Sequence, residues 1–473
     1  MNNFYLRRLK ILNHGNEICN VDFVDLGIDN RSKPLTTVLI GTNGSGKTYL
    51  LRMIADVFNY LKQNSIGKQK FRYEYFYLEY FLNGQIYIVE MKKNKIINCG
   101  CDISKLKLPS KVLAVSFMVN DKFVHSDNED PNNSMYRYLG VRKTSNSTYT
   151  SSLVRSVLNN ILFSIQKEKT KVICDALSLM KMEHKLSIEI NVASKKMANR
   201  LNLDADELLE EKLKKNFQND QDKISKKMLA EAIEKMPIGK VELLFDDLSF
   251  KSDIQNLIKY RREINALVDL HILKPVIINF YKKDEKISFE DCSSGEKHII
   301  FAFSSIAINI QDNSIILIDE PEISLHPNWQ IKYIHLLKNT FDKYISCHFI
   351  LATHSHYILS DLEPESSSLV IINRDADDEI QKSELLQYST YAWSADNIIY
   401  NVFGLRTTRN YYFEMDLREL LEAIQIKNTD KNNIKRLYEK LTKYIYDKHD
   451  PLNKVLEEVE VFLSANEKTN LKD

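Results

Sequence analysis

Apolar positions along this chain recur with two periods, and the places where the period changes mark its elements. The stretches FYLRRLKIL (4–12), VDFVDLGI (21–28) and TTVLI (36–40) read as strands, the last a short run rich in β-branched residues that predicts a buried parallel strand. A glycine-rich turn follows, then helical spacing over Tyr49–Leu61. Two alternating aromatic runs, FRYEYFYLEYFL (71–82) and QIYIVEMKK (85–93), flank Asn83-Gly84, a strong hairpin signal. KVLAVSFMV (111–119) reads as another buried strand and leads into a long polar loop over 120–134. The middle of the chain is mostly helical, over 151–182, 194–236 and 250–271, with three short strand candidates between the helices: KLSIEINV (185–192), KVELLFD (240–246) and PVIINFY (275–281). No heptad persists there, so a long coiled coil is excluded. From KISFED (286–291) the chain returns to α/β character, with a helix over 294–310 and buried strands at SIILID (314–319), HFILAT (348–353) and SSLVIIN (367–373). Residues 413–473 read as helix.

Length and composition narrow this picture. The 473 residues exceed what one compact core holds and predict two or three structural units. With 44% hydrophobic and 27% charged residues the chain supports a real core. A net charge of +1 gives no global advertisement for nucleic acid, so contact with DNA or RNA would have to come from a local patch such as Lys92–Lys95 or Lys212–Lys215; such runs are more often solvated faces. The six cysteines form no metal-binding or disulfide series, Cys99-Gly100-Cys101 lacking a matching pair, which fits a reducing, cytoplasmic setting. The longest apolar run, around Ile299–Ile310, is too short to span a bilayer.

The chemistry-bearing residues stand at the ends of the buried strands. Gly41-Thr42-Asn43-Gly44-Ser45-Gly46-Lys47-Thr48 matches the phosphate-loop pattern between an apolar strand and a helix. Its glycines let backbone N–H groups turn toward phosphate oxygens and the helix N-terminus adds partial positive charge. Lys47 is positioned for the β- and γ-phosphates of ATP, and the Thr48 hydroxyl for Mg2+. The strand 314–318 ends in Asp319-Glu320-Pro321: Asp319 is a candidate to hold Mg2+ through water, Glu320 to polarise an attacking water. Cys292-Ser293-Ser294-Gly295-Glu296-Lys297 opens a helix, and reads either as a plain helix cap or as a second anion site. His354, in Thr353-His354-Ser355, follows the next apolar strand and is a candidate γ-phosphate contact, with His356 the runner-up in the same loop.

The order phosphate loop, Ser/Gly turn, paired acids, histidine is that of the ABC-type P-loop ATPases, which this chain resembles over residues 1–60 and 285–375. The resemblance implies a head-to-tail homodimer that sandwiches two ATP molecules, with Ser293, Gly295 and Glu296 as the signature contacting the γ-phosphate held by the opposite protomer. It also places Ile323-Ser324-Leu325-His326 at the loop that crosses the dimer interface. Two departures stand out: the signature has Cys292 and Ser294 where leucine and glycine are usual, and no Q-loop glutamine is evident, the chain offering Ser116, Asn120 and Asp121 there. Slow or triggered hydrolysis is the expected consequence. The implied fold is an α/β ABC-ATPase head, a mixed sheet flanked by helices. Its lobes are expected at 1–150 and 285–410, with a mainly helical insertion at 151–284 and a helical C-terminal region at 411–473.

Glu-Pro-Glu-Ile-Ser-Leu-His-Pro (320–327) and Thr-His-Ser further resemble the bacterial AAA-domain group that includes the PtuA subunits of Septu and retron defence systems, the PARIS ATPase AriA and the ATPase part of overcoming-lysogenization-defect proteins. Tyr136–Arg142, and Trp393–Ile398 with Phe403-Gly404, are similar to the same group. Asp375–Asp378 has acids at the spacing of a Toprim nuclease, but too little chain follows for that domain. The resemblance therefore implies a separate nuclease subunit, HNH or Toprim, under the control of an antiphage ATPase, with no membrane partner. A RecF- or SMC-like repair ATPase that clamps duplex DNA is the competing expectation, and a nucleotide-sensing scaffold is a third.

Overall fold

The computed structural model describes residues 3–25, 32–64, 71–99, 105–118, 121–124, 134–141, 149–193, 224–245, 252–360, 362–374, 381–386, 390–391, 393–403, 409–425, 431–444 and 452–469. Gly100, Cys101, Asn120, Arg142, Lys212–Lys215, Asp375–Asp378 and Gly404 lie outside the described residues. The chain divides into two compact units, Met1–Ala395 and Asp396–Asp473.

The first unit is built on a sheet of twelve strands. One side is an antiparallel meander: β1 (Phe4–Asn13), β2 (Asn16–Asp22), β4 (Tyr75–Leu82), β5 (Gln85–Lys92) and β6 (Lys95–Cys99). The expected hairpin at Asn83-Gly84 joins β4 to β5, and both residues adopt the positive φ such a turn demands (52° and 84°). The other side is parallel, in the order β15 (Ser367–Arg374), β3 (Leu35–Ile40), β14 (His348–Thr353), β13 (Ile315–Asp319), β7 (Val112–Ser116) and β8 (Tyr136–Gly140). β16 (Gln381–Leu385) closes the gap between the two, antiparallel to β15 and parallel to β2.

Strands β3, β13, β14 and β7 are buried along their whole length, as their unbroken apolar runs predict. Alternate side chains divide between two layers. Val112, Ala114, Ile315, Leu317, Ile350 and Ala352 share one core with helix α1 (Lys47–Asn64) and the antiparallel meander. On the other face the Phe349 ring meets Phe341, which stacks with Phe303 of the helix Ser294–Asn309.

The middle of the chain combines helices with a second sheet. Helices α2 (Tyr149–Gln166), α3 (Lys171–Leu179), α4 (Lys226–Lys235), α5 (Ser252–Lys259) and α6 (Arg261–Asp269) accompany a second, four-stranded sheet. Its order is β10 (Gly239–Leu244), β9 (Lys185–Ile190), β11 (Ile277–Lys282) and β12 (Glu285–Ser288). The three strand candidates seen between the helices thus pair with one another, and the start of KISFED adds the fourth strand. Leu186, Ile188, Ile278, Phe280, Val241 and Leu243 from these strands pack with residues of the surrounding helices in one core. The helix Ser294–Asn309, α7, contributes Ile300 and Phe301 to that core. Helices α2 and α3 pack along α7, and Lys169, between them, donates to the Ala307 and Ile310 carbonyls at its C-terminal end. Two further helices of the unit are α8 (Pro327–Thr340) and the short α9 (His356–Leu359).

The second unit is helical: α10 (Ala395–Asn401, which begins at the boundary), α11 (Tyr411–Gln425), α12 (Lys431–Lys443) and α13 (Leu452–Thr469). Leu420, Ile434, Leu437, Leu441, Leu456 and Val459 form its small core. Among the described residues no helix is long and apolar enough to cross a membrane.

Candidate nucleotide site

Parallel register brings the chemistry together. Ile40, the last residue of β3, is opposite Thr353 of β14; Ala352 is opposite Asp319 of β13, and Asp319 is opposite Ser116 of β7. The four strands end at one level, and the loops leaving them carry the phosphate loop, Glu320, His354 and Phe117. In an open α/β sheet this carboxyl edge is where ligands bind.

The phosphate loop leaves β3 at Gly41, where a Cβ would stand 1.9 Å from the Ile372 carbonyl oxygen, so no larger residue fits. Gly44 and Gly46 have φ of 79° and 94°, backbone that glycine adopts without strain. Thr42, Asn43 and Gly44 are exposed at the loop's tip, whereas Ser45 and Lys47 are buried. The Lys47 ammonium donates to the carbonyls of Gly41 (2.9 Å) and Thr42 (3.2 Å) and approaches Ser45 Oγ and His354 Nδ1, each at 3.4 Å. Burial pushes Lys47 down to about 8, against the opposing pull of Glu320, Glu322 and Asp319.

An ammonium can only donate, so His354 Nδ1 is the acceptor and the ring proton sits on Nε2, 3.9 Å from Glu320 Oε1. Burial, and then the Lys47 charge, lower the imidazole below its ordinary value, which keeps it neutral near pH 7. Glu320 itself adopts φ 47°, rare for a residue with a side chain, and its N–H donates to the Ala352 carbonyl at 2.8 Å. The Thr48 hydroxyl donates to Asp319 Oδ1 at 2.9 Å, while Asp319 Oδ2 is buried with no partner among the described residues. Burial outweighs the Thr48 hydrogen bond and raises Asp319 to about 7. A hydroxyl beside an orphaned carboxylate oxygen is a donor set that suits a hard, oxygen-seeking cation such as Mg2+. Lys47, Thr48, Asp319, Glu320 and His354 thus converge around one loop.

A family profile described as AAA ATPase domain matches residues 6–359, most of the chain. The chain belongs to the AAA ATPase domain family. It is an ATP-binding and ATP-hydrolysing P-loop enzyme. It is similar to the Septu protein PtuA of Bacillus thuringiensis, 29% identical over 184 residues that cover 36% of this chain and 45% of that one. It is also similar to the retron Vc95 probable ATPase of Vibrio cholerae serotype O1 biovar El Tor, 24% identical over 392 residues, 72% of this chain and 69% of that one. The match to the Septu protein therefore spans less than half of that protein's length. Among solved structures, the SMC head domain from Thermotoga maritima aligns at 11% identity with a TM-score of 0.34, covering 81% of this chain and 99% of that one, too loose a likeness to argue from.

In this AAA ATPase the Ser/Gly turn is held by a cap of its own and by the turn after Glu320. Ser293 caps α7 through a capping box: its hydroxyl accepts from the Glu296 N–H, and the Glu296 carboxylate accepts from the Ser293 N–H (2.8 Å) and hydroxyl (2.9 Å). Gly295 is buried beneath the Ser324 carbonyl oxygen, 2.5 Å from where a Cβ would lie. His298, on the next turn of α7, bonds the Ile323 carbonyl through Nδ1 (2.9 Å) and stacks on Phe117 at 4.5 Å. The contacts of Gly295 and His298 therefore run to the turn that follows Glu320. At the expected Q-loop, Ser116 Oγ accepts from the Met118 N–H (3.2 Å), and buried Asp121 accepts from the Phe123 N–H and the Tyr138 hydroxyl. Asp121 also adds its charge to those raising Asp319.

Two site residues escaped the sequence reading. Glu322 Oε1 accepts from the His354 N–H at 2.6 Å. Gln330 of α8 accepts from the Ser355 hydroxyl (2.6 Å) and donates to the Leu325 carbonyl (2.9 Å), joining the histidine loop to the turn after Glu320. The available signal was the second glutamate in Glu320-Pro321-Glu322, an acid inside a turn between two apolar segments.

Proposed function

We propose that this ATPase works as a head-to-tail homodimer that closes on two ATP molecules and so controls a separate nuclease subunit, HNH or Toprim, in an antiphage defence complex. The observation that carries this reading is that Ser293, at an exposed helix N-terminus, bonds to Glu296 and, among the described residues, to no group of the phosphate loop. Lys47, Thr48, Asp319, Glu320 and His354 converge on the phosphate loop, while Ser293 leaves an anion-binding helix N-terminus open to solvent. A second protomer is needed to bring such an anion-binding turn to the γ-phosphate. The similarity to the Septu and retron proteins supports the defence setting.

In the proposed site the backbone N–H groups of Asn43, Gly44, Ser45 and Gly46 cradle the phosphates, and Lys47 exchanges carbonyl partners for phosphate oxygens. Mg2+, held by Thr48 and Asp319, supplies charge neutralisation at the phosphates. Glu320 accepts a hydrogen bond from the attacking water and takes its proton, and His354, with its proton on Nε2, donates toward the γ-phosphate.

The experiment is affinity purification of the tagged chain, expressed with its native neighbouring genes, followed by mass spectrometry. Recovery of a nuclease in comparable amount is the expected result. Recovery of the chain alone, or with DNA only, replaces this reading with a duplex-clamping repair ATPase, for which the exposed Lys92–Lys95 hairpin tip offers a basic contact.

A further inference from the structure

Glu322 has no role in the site as drawn above, yet it is held in an unusual way. Its Oε1 takes the His354 N–H at 2.6 Å. Its Oε2 is buried with no hydrogen-bond partner among the described residues, and so is the hydroxyl of Tyr333 on α8. Burial raises the Glu322 carboxyl above its ordinary value; the Glu322 charge in turn adds to burial in keeping the Tyr333 phenol protonated. A carboxylate kept in these surroundings costs free energy, and such cost is kept where it fixes something else.

What it fixes is the start of the histidine loop. β14 ends at Thr353, and α9 begins only at His356. The His354 N–H thus lies beyond the ladder, and Glu322 is its partner. The imidazole it carries is the group that stands between Lys47 Nζ (3.4 Å) and Glu320 Oε1 (3.9 Å). Glu322 reaches it from the turn opened by the left-handed backbone of Glu320, so one turn aims one carboxylate at the ring and a second at the backbone beneath it.

We propose that Glu322 is a positioning residue for ATP turnover: as a fixed acceptor for the His354 N–H it holds the imidazole in register with Lys47 and Glu320. The proposal rests on the reading of His354 given above. A shift of about 1 Å in a reacting group costs on the order of 100-fold in rate, which sets the scale of the expected loss.

The test measures turnover and nucleotide affinity in the full chain for E322A, E322Q, H354A and the double variant E322A/H354A. E322A is expected to lower kcat by about 10–100-fold with nucleotide Kd unchanged. E322Q, whose amide oxygen still accepts, restores most of the rate, and the double variant is no slower than H354A alone. Equal losses in E322Q and E322A, or losses that multiply in the double variant, overturn the proposal. If E322A no longer binds nucleotide, E322M, which keeps the volume and lacks the acceptor, takes its place under the same criteria. A slow H354A beside an E322A of wild-type rate overturns this proposal alone, whereas an H354A of wild-type rate overturns the site reading and the proposal with it.

Discussion

The Thr48 hydroxyl and the Asp319 carboxylate meet at 2.9 Å across 271 residues of sequence. Between them, among the described residues, the chain builds strands β4 to β12 and helices α2 to α7, so the contact exists only once the parallel sheet has formed. Asp319→Asn keeps the shape and removes the charge. ATP affinity measured with Mg2+ and again in EDTA should then coincide in the variant, whereas the wild type gains roughly 10–100-fold from Mg2+, the worth of one charge-assisted contact of about 1.5–3 kcal/mol. A variant that still gains fully from Mg2+ would remove Asp319 from the metal site.

Lys47 gives a pH signature. Its folded-state value, about 8, lies below the ordinary 10.5, so the charged ammonium is disfavoured by the fold. That cost is present in full below pH 8 and is relieved as the pH rises toward 10.5, where the unfolded chain binds more protons than the folded one. Triphosphate reverses the preference and recharges the amine. Calorimetry of ATP binding in EDTA at pH 9, in buffers of different ionisation heat, should report uptake of close to one proton per ATP from this group, falling away by pH 7. Heats independent of buffer at pH 9 count against a phosphate contact by Lys47.

Gly295→Ala tests the packing of α7 on the turn after Glu320. The added methyl meets the Ser324 carbonyl at 2.5 Å, and backbone cannot swing aside as a side chain can. Overpacking of this kind costs about 1–3 kcal/mol. Denaturant unfolding should show the loss, and a midpoint equal to wild type would mean that the turn yields freely.

Ser293 separates capping from closure. Ser293→Ala loses the capping box and about 1 kcal/mol of stability. Ser293→Arg carries the same loss but also places a bulky cation where the proposed partner phosphate would dock. Nucleotide binding should persist in both, while ATP-dependent dimerisation, followed by light scattering, disappears only in the arginine variant. An arginine variant that dimerises normally with ATP refutes the signature assignment.

Glu320→Gln is expected to bind ATP as the wild type does and to turn it over about 100–1,000-fold more slowly, within the range general base catalysis supplies. Unchanged turnover in a steady-state phosphate-release assay would favour the scaffold reading.

How much of this was written in the chain varies with how local the cause is. β3, the phosphate loop and α1 were legible because strand, glycine turn and helix are contiguous, and the same holds for Asp319-Glu320 after β13 and His354 after β14. The Asn83-Gly84 hairpin is local chemistry too. The second sheet was half visible: its strand segments could be read, but their pairing, which joins Lys185–Ile190 to both Gly239–Leu244 and Ile277–Lys282, is set by a shared core that no single segment displays. Glu322 was illegible as a site residue because an acid in a turn ordinarily faces water. Only the fold shows it turned inward onto the His354 N–H.

The left-handed backbone at Glu320 carries a consequence for how this enzyme can change. In the proposed mechanism the position demands a carboxylate, while its backbone holds a conformation that glycine or asparagine would adopt more comfortably, a strain of about 1–3 kcal/mol. Substitutions that relax the turn are therefore the ones that disarm it, so heat tolerance and turnover oppose each other at this residue. A lineage under selection for a hotter environment would have to gain its stability elsewhere in the fold, and Glu320 would stay strained through every such change.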